Sequence, residues 1–135
     1  MSGGYAGDLT PEQAWELVRD SDAVLVDVRT EAEWRFVGVP DLAELGVQLG
    51  LVEWVDAAGE RNPDFVPAVA ELSQGRPVVF LCRSGQRSVS AAQVLTAAGS
   101  GPAYNVLDGF EGGLDADGHR GAVGWRAVGL PWTQR

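Results

Sequence analysis

The sequence predicts an α/β domain with a mainly parallel central sheet flanked by helices. Short apolar, β-branched runs alternate with helical segments along the chain, and this alternation is typical of strands that lie parallel. The apolar runs are continuous, which indicates strands covered on both faces. With 135 residues, 45% of them hydrophobic, the chain has the size of one compact domain, so we expect a single domain over residues 1–135.

The first helix and the first strand have clear boundary signals. The sequence Thr-Pro-Glu-Gln at positions 10–13 combines a hydroxyl N-cap, a Pro at the first helical position and a Gln placed to complete a capping box. A helix is therefore predicted to run to about residue 20. The apolar run over residues 23–26 predicts a buried strand, with Asp27-Val28-Arg29 at its carboxyl end.

The middle of the chain is predicted from weaker patterns. A short helix is expected over residues 31–36 and another strand over residues 49–54. Asn62 followed by Pro63 resembles an N-cap with Pro at the first helical position, and it predicts a helix that Gly75 closes.

The second half contains the clearest strand, over residues 77–81, which leads directly into the segment at positions 82–88. An Ala-rich helix is expected over residues 89–98 and another strand over residues 104–107. Residues 109–121 are expected to form a loop, and a last short helix is predicted around Trp125. Because parallel strands end at one edge of a sheet, residues 27–29 and the segment at 82–88 should meet where α/β proteins place their active sites.

The composition excludes several classes of function. The formal net charge of −9 is spread along the chain, so the protein repels phosphate backbones and no nucleic acid partner is expected. All ten basic residues are Arg, which excludes Schiff-base enzymes, P-loop lysines and lysine general bases. One Cys and one His cannot form a structural zinc site or an internal disulfide, and neither a metal nor a cofactor is expected.

The chain also lacks the sequence signals of a membrane or secreted protein. No segment approaches the ~20 consecutive apolar residues of a membrane span, and residues 1–5 lack the basic start and apolar stretch of a signal peptide. We therefore expect a cytoplasmic protein with no membrane partner.

The segment at positions 82–88, Cys-Arg-Ser-Gly-Gln-Arg-Ser, has the pattern expected of a reactive loop. In a tight strand-to-helix turn, successive backbone N–H groups form an anion site, to which the following helix adds its positive end. A cysteine at its centre, Cys82, is favoured as a thiolate, and the same amides stabilise the terminal sulfur of a persulfide. Arg83 and Arg87 are placed to hold a dianionic sulfur donor.

A structural interpretation exists for Cys82, Arg83 and Arg87, and for the two arginines it is that of ordinary solvated surface charges. A lone cysteine after a buried strand is more often a small core residue than a nucleophile, but an inert cysteine does not need an adjacent cationic turn. The turn therefore favours a function for Cys82. Asp27 and Arg29 are instead expected to brace the fold through an ion pair or backbone contacts.

These segments together resemble the rhodanese family. Residues 82–88 look like the rhodanese active-site loop, residues 24–29 followed by Glu33-Trp34 resemble its upstream signature, and residues 104–109 and 124–132 resemble its ending. The resemblance implies a rhodanese-like three-layer sandwich. It also implies a sulfurtransferase that moves a sulfane sulfur from a donor such as thiosulfate to a thiophilic acceptor through a persulfide.

The resemblance assigns roles to the loop residues and implies the partners. Cys82 is the implied catalytic nucleophile, and a substrate-binding loop consists of the six residues after it: Arg83, Ser84, Gly85, Gln86, Arg87 and Ser88. Because the chain has a single Cys, its persulfide must pass to an external thiol or protein acceptor. The expected partners are thus a small-molecule sulfur donor and such an acceptor, while the sequence leaves the oligomeric state open.

Two other functions remain as alternatives. Related Cys-dependent phosphatases and arsenate reductases use a Cys-x5-Arg loop, whereas Arg87 gives Cys-x4-Arg here and Ser88 stands where the longer loop needs Arg. The shorter ring should suit a single sulfur atom rather than a phosphate. The other alternative is a non-enzymatic rhodanese-like module that binds a protein or relays sulfur. Such a module is indicated in sequence by loss of the cysteine, and Cys82 is present here.

Overall fold

Seven short strands form the sheets in the computed structural model, which describes residues 4–134. In chain order the strands are β1 (Gly7–Leu9), β2 (Val24–Asp27), β3 (Val39–Pro40), β4 (Gly50–Leu51), β5 (Val78–Leu81), β6 (Ala103–Val106) and β7 (Trp132–Thr133). Five of them form one sheet in the order β1-β6-β5-β2-β4, in which every pairing is parallel. Strands β3 and β7 form a separate antiparallel pair. The predicted mainly parallel sheet is confirmed; residues 1–3 and 135 of the predicted domain lie outside the described residues.

Helices cover both faces of the five-stranded sheet. They are α1 (Pro11–Asp20), α2 (Glu31–Phe36), α3 (Phe65–Ser73) and α4 (Arg87–Ala97). Successive residues of β5 point to opposite faces, so Val78 and Phe80 pack with α3 and α4, while Val79 and Leu81 pack with α1. The architecture is therefore the three-layer α/β sandwich that the sequence predicts. None of the helices in residues 4–134 has the length and apolar character needed to cross a bilayer.

Capping boxes fix the N-termini of α1 and α2. At the start of α1, the Gln13 amide donates to Thr10 Oγ1 at 3.1 Å and the Thr10 amide donates to Gln13 Oε1 at 2.9 Å, as predicted. A second capping box joins Thr30 and Glu33 at the start of α2. Glu33 is thus held in place at the N-terminus of α2 by the backbone around it.

The structure corrects three predicted boundaries. Helix α3 begins at Phe65 rather than at Pro63, because Asn62 Oδ1 accepts the Asp64 amide in a turn that precedes the helix. The strand predicted over residues 49–54 is reduced to β4, although residues 52 and 54 still donate backbone hydrogen bonds to β2 and the residue after it. Helix α4 begins two residues earlier than predicted, which places Arg87 and Ser88 in its first turn.

The last short helix predicted around Trp125 is wrong. The chain there forms a turn bounded by Gly124 and Gly129, whose φ angles of +107° and +84° end any helical geometry on either side. Between them the Val128 amide donates to the Gly124 carbonyl at 3.1 Å, but this α-helical hydrogen bond is not repeated at the next residue. The Trp125 indole is nevertheless fixed, since its Nε1 donates to the Pro131 carbonyl at 2.8 Å and the ring is fully buried. The region contributes to the core through one aromatic side chain instead of a helix.

The topology brings three strand ends together. β5 lies between β2 and β6, and all three run in the same direction. Cys82 follows β5 directly, Asp27 ends β2, and residues 107–112 follow β6. The centre of the carboxyl edge of the sheet is therefore built around Cys82.

Candidate active site

The Cys82 side chain is buried but has two polar neighbours. It is 1% exposed and packs in the core cluster that lies against α3 and α4. Its Sγ atom accepts a hydrogen bond from the Gly85 amide at 3.1 Å and lies 3.2 Å from Ser88 Oγ. Burial alone disfavours an anionic sulfur, whereas an N–H donor favours it. Cys82 therefore differs from an inert core cysteine in having a backbone donor directed at its sulfur.

The loop turns back on Cys82 at Gly85. This residue has a φ angle of +99°, and a Cβ there would lie 3.4 Å from the Asp108 amide nitrogen. Only glycine adopts such a conformation readily, and this conformation directs the Gly85 amide toward Cys82 Sγ. Among the described residues, Gly85 supplies the one amide that donates to this sulfur, so the predicted ring of amides contacts it at a single point.

The segment after β6 fixes the start of the loop. The Phe110 amide donates to the Cys82 carbonyl at 2.8 Å, and the Glu111 and Gly112 amides donate to the Arg83 carbonyl at 3.0 and 3.1 Å. Gly109 permits this close approach, because a Cβ on it would lie 2.3 Å from the Cys82 carbonyl oxygen. The position of Cys82 thus depends on a glycine that is 27 residues further along the chain.

Gly109→Ala is expected to destabilise the protein and displace the Cys82 loop. The added methyl group would meet backbone atoms of Cys82 and Arg83, which cannot move aside as a flexible side chain would. We expect a loss of roughly 2–4 kcal/mol from strain and overpacking, measured by denaturant unfolding. Gly118→Ala is the matched control, because Gly118 also has a positive φ, +79°, but a Cβ there meets nothing within 4 Å. Equal losses in both variants would show that close packing at Gly109 is unimportant.

Ser88 lies behind the sulfur in a buried polar network. Its hydroxyl donates to Asn105 Oδ1 at 2.5 Å, and both residues are at most 2% exposed. Asn105 Nδ2 in turn donates to the Asp8 carboxylate at 3.0 Å. Ser88, predicted as part of the substrate-binding loop, therefore contacts both Cys82 Sγ and a buried side chain of β6.

Arg87 makes a bidentate ion pair with Glu33. Its Nη1 and Nη2 donate to Glu33 Oε1 and Oε2 at 2.8 and 3.0 Å, and this contact joins α4 to α2. The hydrogen bond to Glu33 raises the pKa of Arg87. Burial acts to raise the pKa of Glu33, but the hydrogen bonds from Arg87 and Thr30 outweigh it and the pKa is lowered. Both terminal nitrogens of Arg87, predicted to bind the donor, are thus already engaged.

Glu33→Gln is expected to remove a pH-dependent part of the stability. The folded pKa of Glu33 is below its ordinary value, so the ion pair stabilises the fold above the unfolded pKa of about 4 and this contribution is lost as the pH falls further. We expect the free energy of unfolding of the wild type to exceed that of the variant by roughly 1–2 kcal/mol at neutral pH. This difference should shrink as the pH falls, and unfolding experiments at several pH values measure it. Glu71→Gln, at an exposed residue with no ion pair in the described part of the chain, controls for the lost charge. A gap of constant size at all pH values would contradict this assignment.

Asp27 and Arg29 brace the neighbouring strand end, as predicted. Both side chains are 0% exposed, and Arg29 Nη2 donates to Asp27 Oδ2 at 2.7 Å and to the Gly38 carbonyl at 2.6 Å. The guanidinium also lies 4.3 Å from the centre of the Phe110 ring. These contacts connect the end of β2 to the residue before β3 and to the segment that supports the Cys82 loop. The ion pair therefore supports the backbone around Cys82.

The remaining loop residues are more accessible. Arg83 and Gln86 are exposed and Ser84 is half-buried. No catalytic or binding role for Glu33 or Asn105 follows from the sequence, although a signal for each is present. Thr30 followed three residues later by Glu33 is a capping box, and Asn105 is a polar residue inside an apolar strand pattern. Neither signal reveals the distant partner.

Three known proteins resemble this chain over most of its length. The crystal structure of Rv0390 from M. tuberculosis has a TM-score of 0.91 and 63% sequence identity, with coverage of 98% of this chain and 100% of that chain. An uncharacterised protein of Rickettsia rickettsii is 37% identical over 119 residues, which are 86% of this chain and 87% of that protein. The thiosulfate sulfurtransferase GlpE of Glaesserella parasuis is 30% identical over 105 residues, 78% of this chain and 83% of that protein.

The family model for the rhodanese-like domain matches residues 10–116. This range contains the Cys82 loop, the Arg87–Glu33 and Asp27–Arg29 ion pairs, and the strands whose carboxyl ends meet at the site. The resemblance in sequence, the parallel sheet and the family match therefore agree, and the chain belongs to the rhodanese-like domain family.

Proposed function

We propose that this protein is a sulfurtransferase that carries sulfur on Cys82 as a persulfide. The observation that supports the proposal most directly is the 3.1 Å hydrogen bond from the Gly85 amide to Cys82 Sγ. A backbone donor of this kind stabilises negative charge on sulfur, both in the thiolate and in a persulfide. The 30% identity to a thiosulfate sulfurtransferase is consistent with the same chemistry.

The proposed reaction has two displacement steps. In the first, the Cys82 thiolate attacks the sulfane sulfur of thiosulfate; a new S–S bond forms, and the bond to the sulfite sulfur breaks with its electron pair leaving on sulfite. In the second, a thiophilic acceptor such as cyanide or a thiolate attacks the terminal sulfur, and Cys82 leaves as a thiolate. Neither step needs an external oxidant or a metal, and positioning and electrostatics supply the catalysis.

The two arginines of the loop have different roles in this proposal. Arg87 keeps its charge near Cys82 but is paired with Glu33, so we infer that it contributes its field and holds the loop on α2. The exposed Arg83 is the loop cation that we assign to a dianionic donor. Because the chain has one Cys, the acceptor in the second step is external, either a small thiol or a protein.

The direct test is the intact mass of the protein after incubation with thiosulfate. We expect a gain of one sulfur atom that a thiol reductant removes, and we expect peptide mapping to locate it on Cys82. No gain in mass, with the protein folded, would argue against sulfur transfer and for a module that only binds a partner protein.

Aryl phosphate hydrolysis provides the contrasting assay. A phosphatase needs an Arg whose guanidinium clamps the phosphate oxygens, whereas both terminal nitrogens of Arg87 donate to Glu33. We therefore expect turnover of thiosulfate with cyanide and none of an aryl phosphate. The opposite pattern would make the protein a phosphatase.

A further inference from the structure

A chain of hydrogen bonds leads from Cys82 across the sheet to its edge strand. It passes from Cys82 Sγ to Ser88 Oγ at 3.2 Å, to Asn105 Oδ1 at 2.5 Å, and from Asn105 Nδ2 to Asp8 Oδ1 at 3.0 Å. The Tyr5 hydroxyl donates to the same Asp8 oxygen at 2.8 Å. Ser88 and Asn105 are buried in this chain, whereas Asp8 on β1 is exposed. An exposed carboxylate is thereby connected to the sulfur through two buried side chains.

The chemistry of each group fixes the direction of the chain. A carboxylate only accepts, so Asn105 must turn its NH2 group to Asp8 and its carbonyl oxygen to Ser88. That carbonyl oxygen also only accepts, so Ser88 must use its one hydroxyl proton on Asn105. Ser88 is then left with lone pairs facing Cys82 Sγ, an arrangement that accepts a proton from the thiol and opposes a thiolate.

We propose that Asp8, acting through Asn105, keeps the Ser88 hydroxyl proton on Asn105 and away from Cys82 Sγ, so that Ser88 cannot donate to a Cys82 thiolate. To donate to the thiolate, the Ser88 hydroxyl must leave Asn105 Oδ1, and that oxygen is then unpaired in the interior, which is unfavourable. Asp8, Asn105 and Ser88 are positioning residues, and the chain opposes the stabilisation that the Gly85 amide provides. The inference extends the proposed function, because it concerns the same nucleophile, but it can be measured without sulfur transfer.

Other charged groups also surround Cys82 and must be held constant in the test. Arg87 of α4 faces the sulfur and is paired with Glu33 of α2, while Asp27 and Arg29 lie at the adjacent end of β2. Arg83 follows Cys82 directly, and the backbone of Asp108 packs against Gly85. None of these groups makes a hydrogen bond to Asp8 in the described residues, so a change at position 8 leaves their contacts unchanged.

Asp8→Ala is the test variant, and the ultraviolet absorbance of the thiolate is the measurement. Cys82 is the sole cysteine, so the spectrum of each protein is compared at every pH with that of the same protein carrying Cys82→Ser. This subtraction isolates the Cys82 signal and removes the absorbance of Tyr5, whose hydroxyl donates to Asp8. Without the carboxylate, the Asn105 amide can turn its NH2 group to Ser88, which frees the Ser88 hydroxyl to donate to Sγ. We expect the thiolate to appear at lower pH, with roughly three- to tenfold more thiolate at a pH where the wild type is mostly protonated.

Asp8→Asn separates hydrogen bonding from charge. Asn at this position has the same net charge as Ala but keeps an oxygen that accepts from Asn105, so we expect its thiolate titration to stay close to wild type. A second measurement is a double-mutant cycle, in which Asp8→Ala should have no effect in a Ser88→Ala background because the chain is already interrupted.

Three results would overturn the inference: an unchanged titration in Asp8→Ala, an equal change in Asp8→Asn, or an effect of Asp8→Ala that persists without the Ser88 hydroxyl. Each can occur while the wild-type protein still takes up sulfur from thiosulfate. Conversely, a shifted titration with no sulfur uptake would support the hydrogen-bond chain and reject the proposed sulfurtransferase. The two proposals therefore fail separately.

Discussion

Cys82→Ser is expected to abolish sulfur uptake and transfer while leaving the protein folded. The chain contains no other thiol, so no second residue can accept the sulfane sulfur. A serine oxygen can accept the hydrogen bond from the Gly85 amide, but at neutral pH it stays a protonated hydroxyl and does not attack the donor. We expect no gain of sulfur in the intact mass and no turnover of thiosulfate and cyanide above background.

Comparison of Ser with Ala at this position separates chemistry from stability. Cys82→Ala leaves the Gly85 amide without its acceptor and opens a small void at a site that is 1% exposed. We expect this variant to lose roughly 1–2 kcal/mol of unfolding free energy, and Cys82→Ser to lose less. Both should nevertheless be equally inactive. Transfer by a folded Cys82→Ser protein at the wild-type rate would eliminate Cys82 as the nucleophile.

The location of the site could be predicted from sequence because it depends on local signals. A continuous apolar run marks β5, and a cysteine, a glycine and two arginines follow it immediately. Parallel strands must end at one edge of their sheet, so the proximity of Asp27 and Arg29 to this loop also followed from the strand pattern. The ion pair between those two residues is also predictable, because they are only two positions apart at the end of one strand.

The partners of the loop could not be predicted, because they come from distant parts of the chain. Arg87 and Glu33 are 54 residues apart, and Asn105 and Asp8 are 97 apart. Their contacts depend on how α2 packs beside α4 and on which strand pairs with β6. The sequence therefore predicts that Arg87 binds the sulfur donor, whereas the structure pairs it with Glu33.

Very short elements were missed for a related reason. Strands β1, β3 and β7 have two or three residues each, which is too short for an alternating or continuous apolar pattern to be recognised. They exist because neighbouring strands or turns provide partners, as β6 does for β1. Since Asp8 lies on β1, the chain of hydrogen bonds to Cys82 was also hidden from sequence inspection.

Asp27→Asn is expected to cause the largest loss of stability among the substitutions considered. Asp27 accepts from Arg29 Nε at 3.0 Å and from Nη2 at 2.7 Å, and both side chains are 0% exposed. An amide at this position removes the negative charge and turns an NH2 group or a single oxygen toward the guanidinium. The buried Arg29 charge then has no carboxylate in hydrogen-bond contact, and the loss of such a partner costs roughly 3–5 kcal/mol in comparable sites. Denaturant unfolding at neutral pH measures this loss.

Asp20→Asn is the matched control, because Asp20 also pairs with a nearby arginine. The Arg19–Asp20 pair has a similar length, 2.7 Å, but its side chains are 49% and 61% exposed. Water solvates both charges there, so breaking the pair leaves little that is uncompensated. A large loss for Asp27→Asn with little change for Asp20→Asn would show that burial, rather than the ion pair itself, makes residue 27 critical. Similar small losses in both would mean that Arg29 finds another counter-charge, and the framework beside Cys82 would then not depend on Asp27.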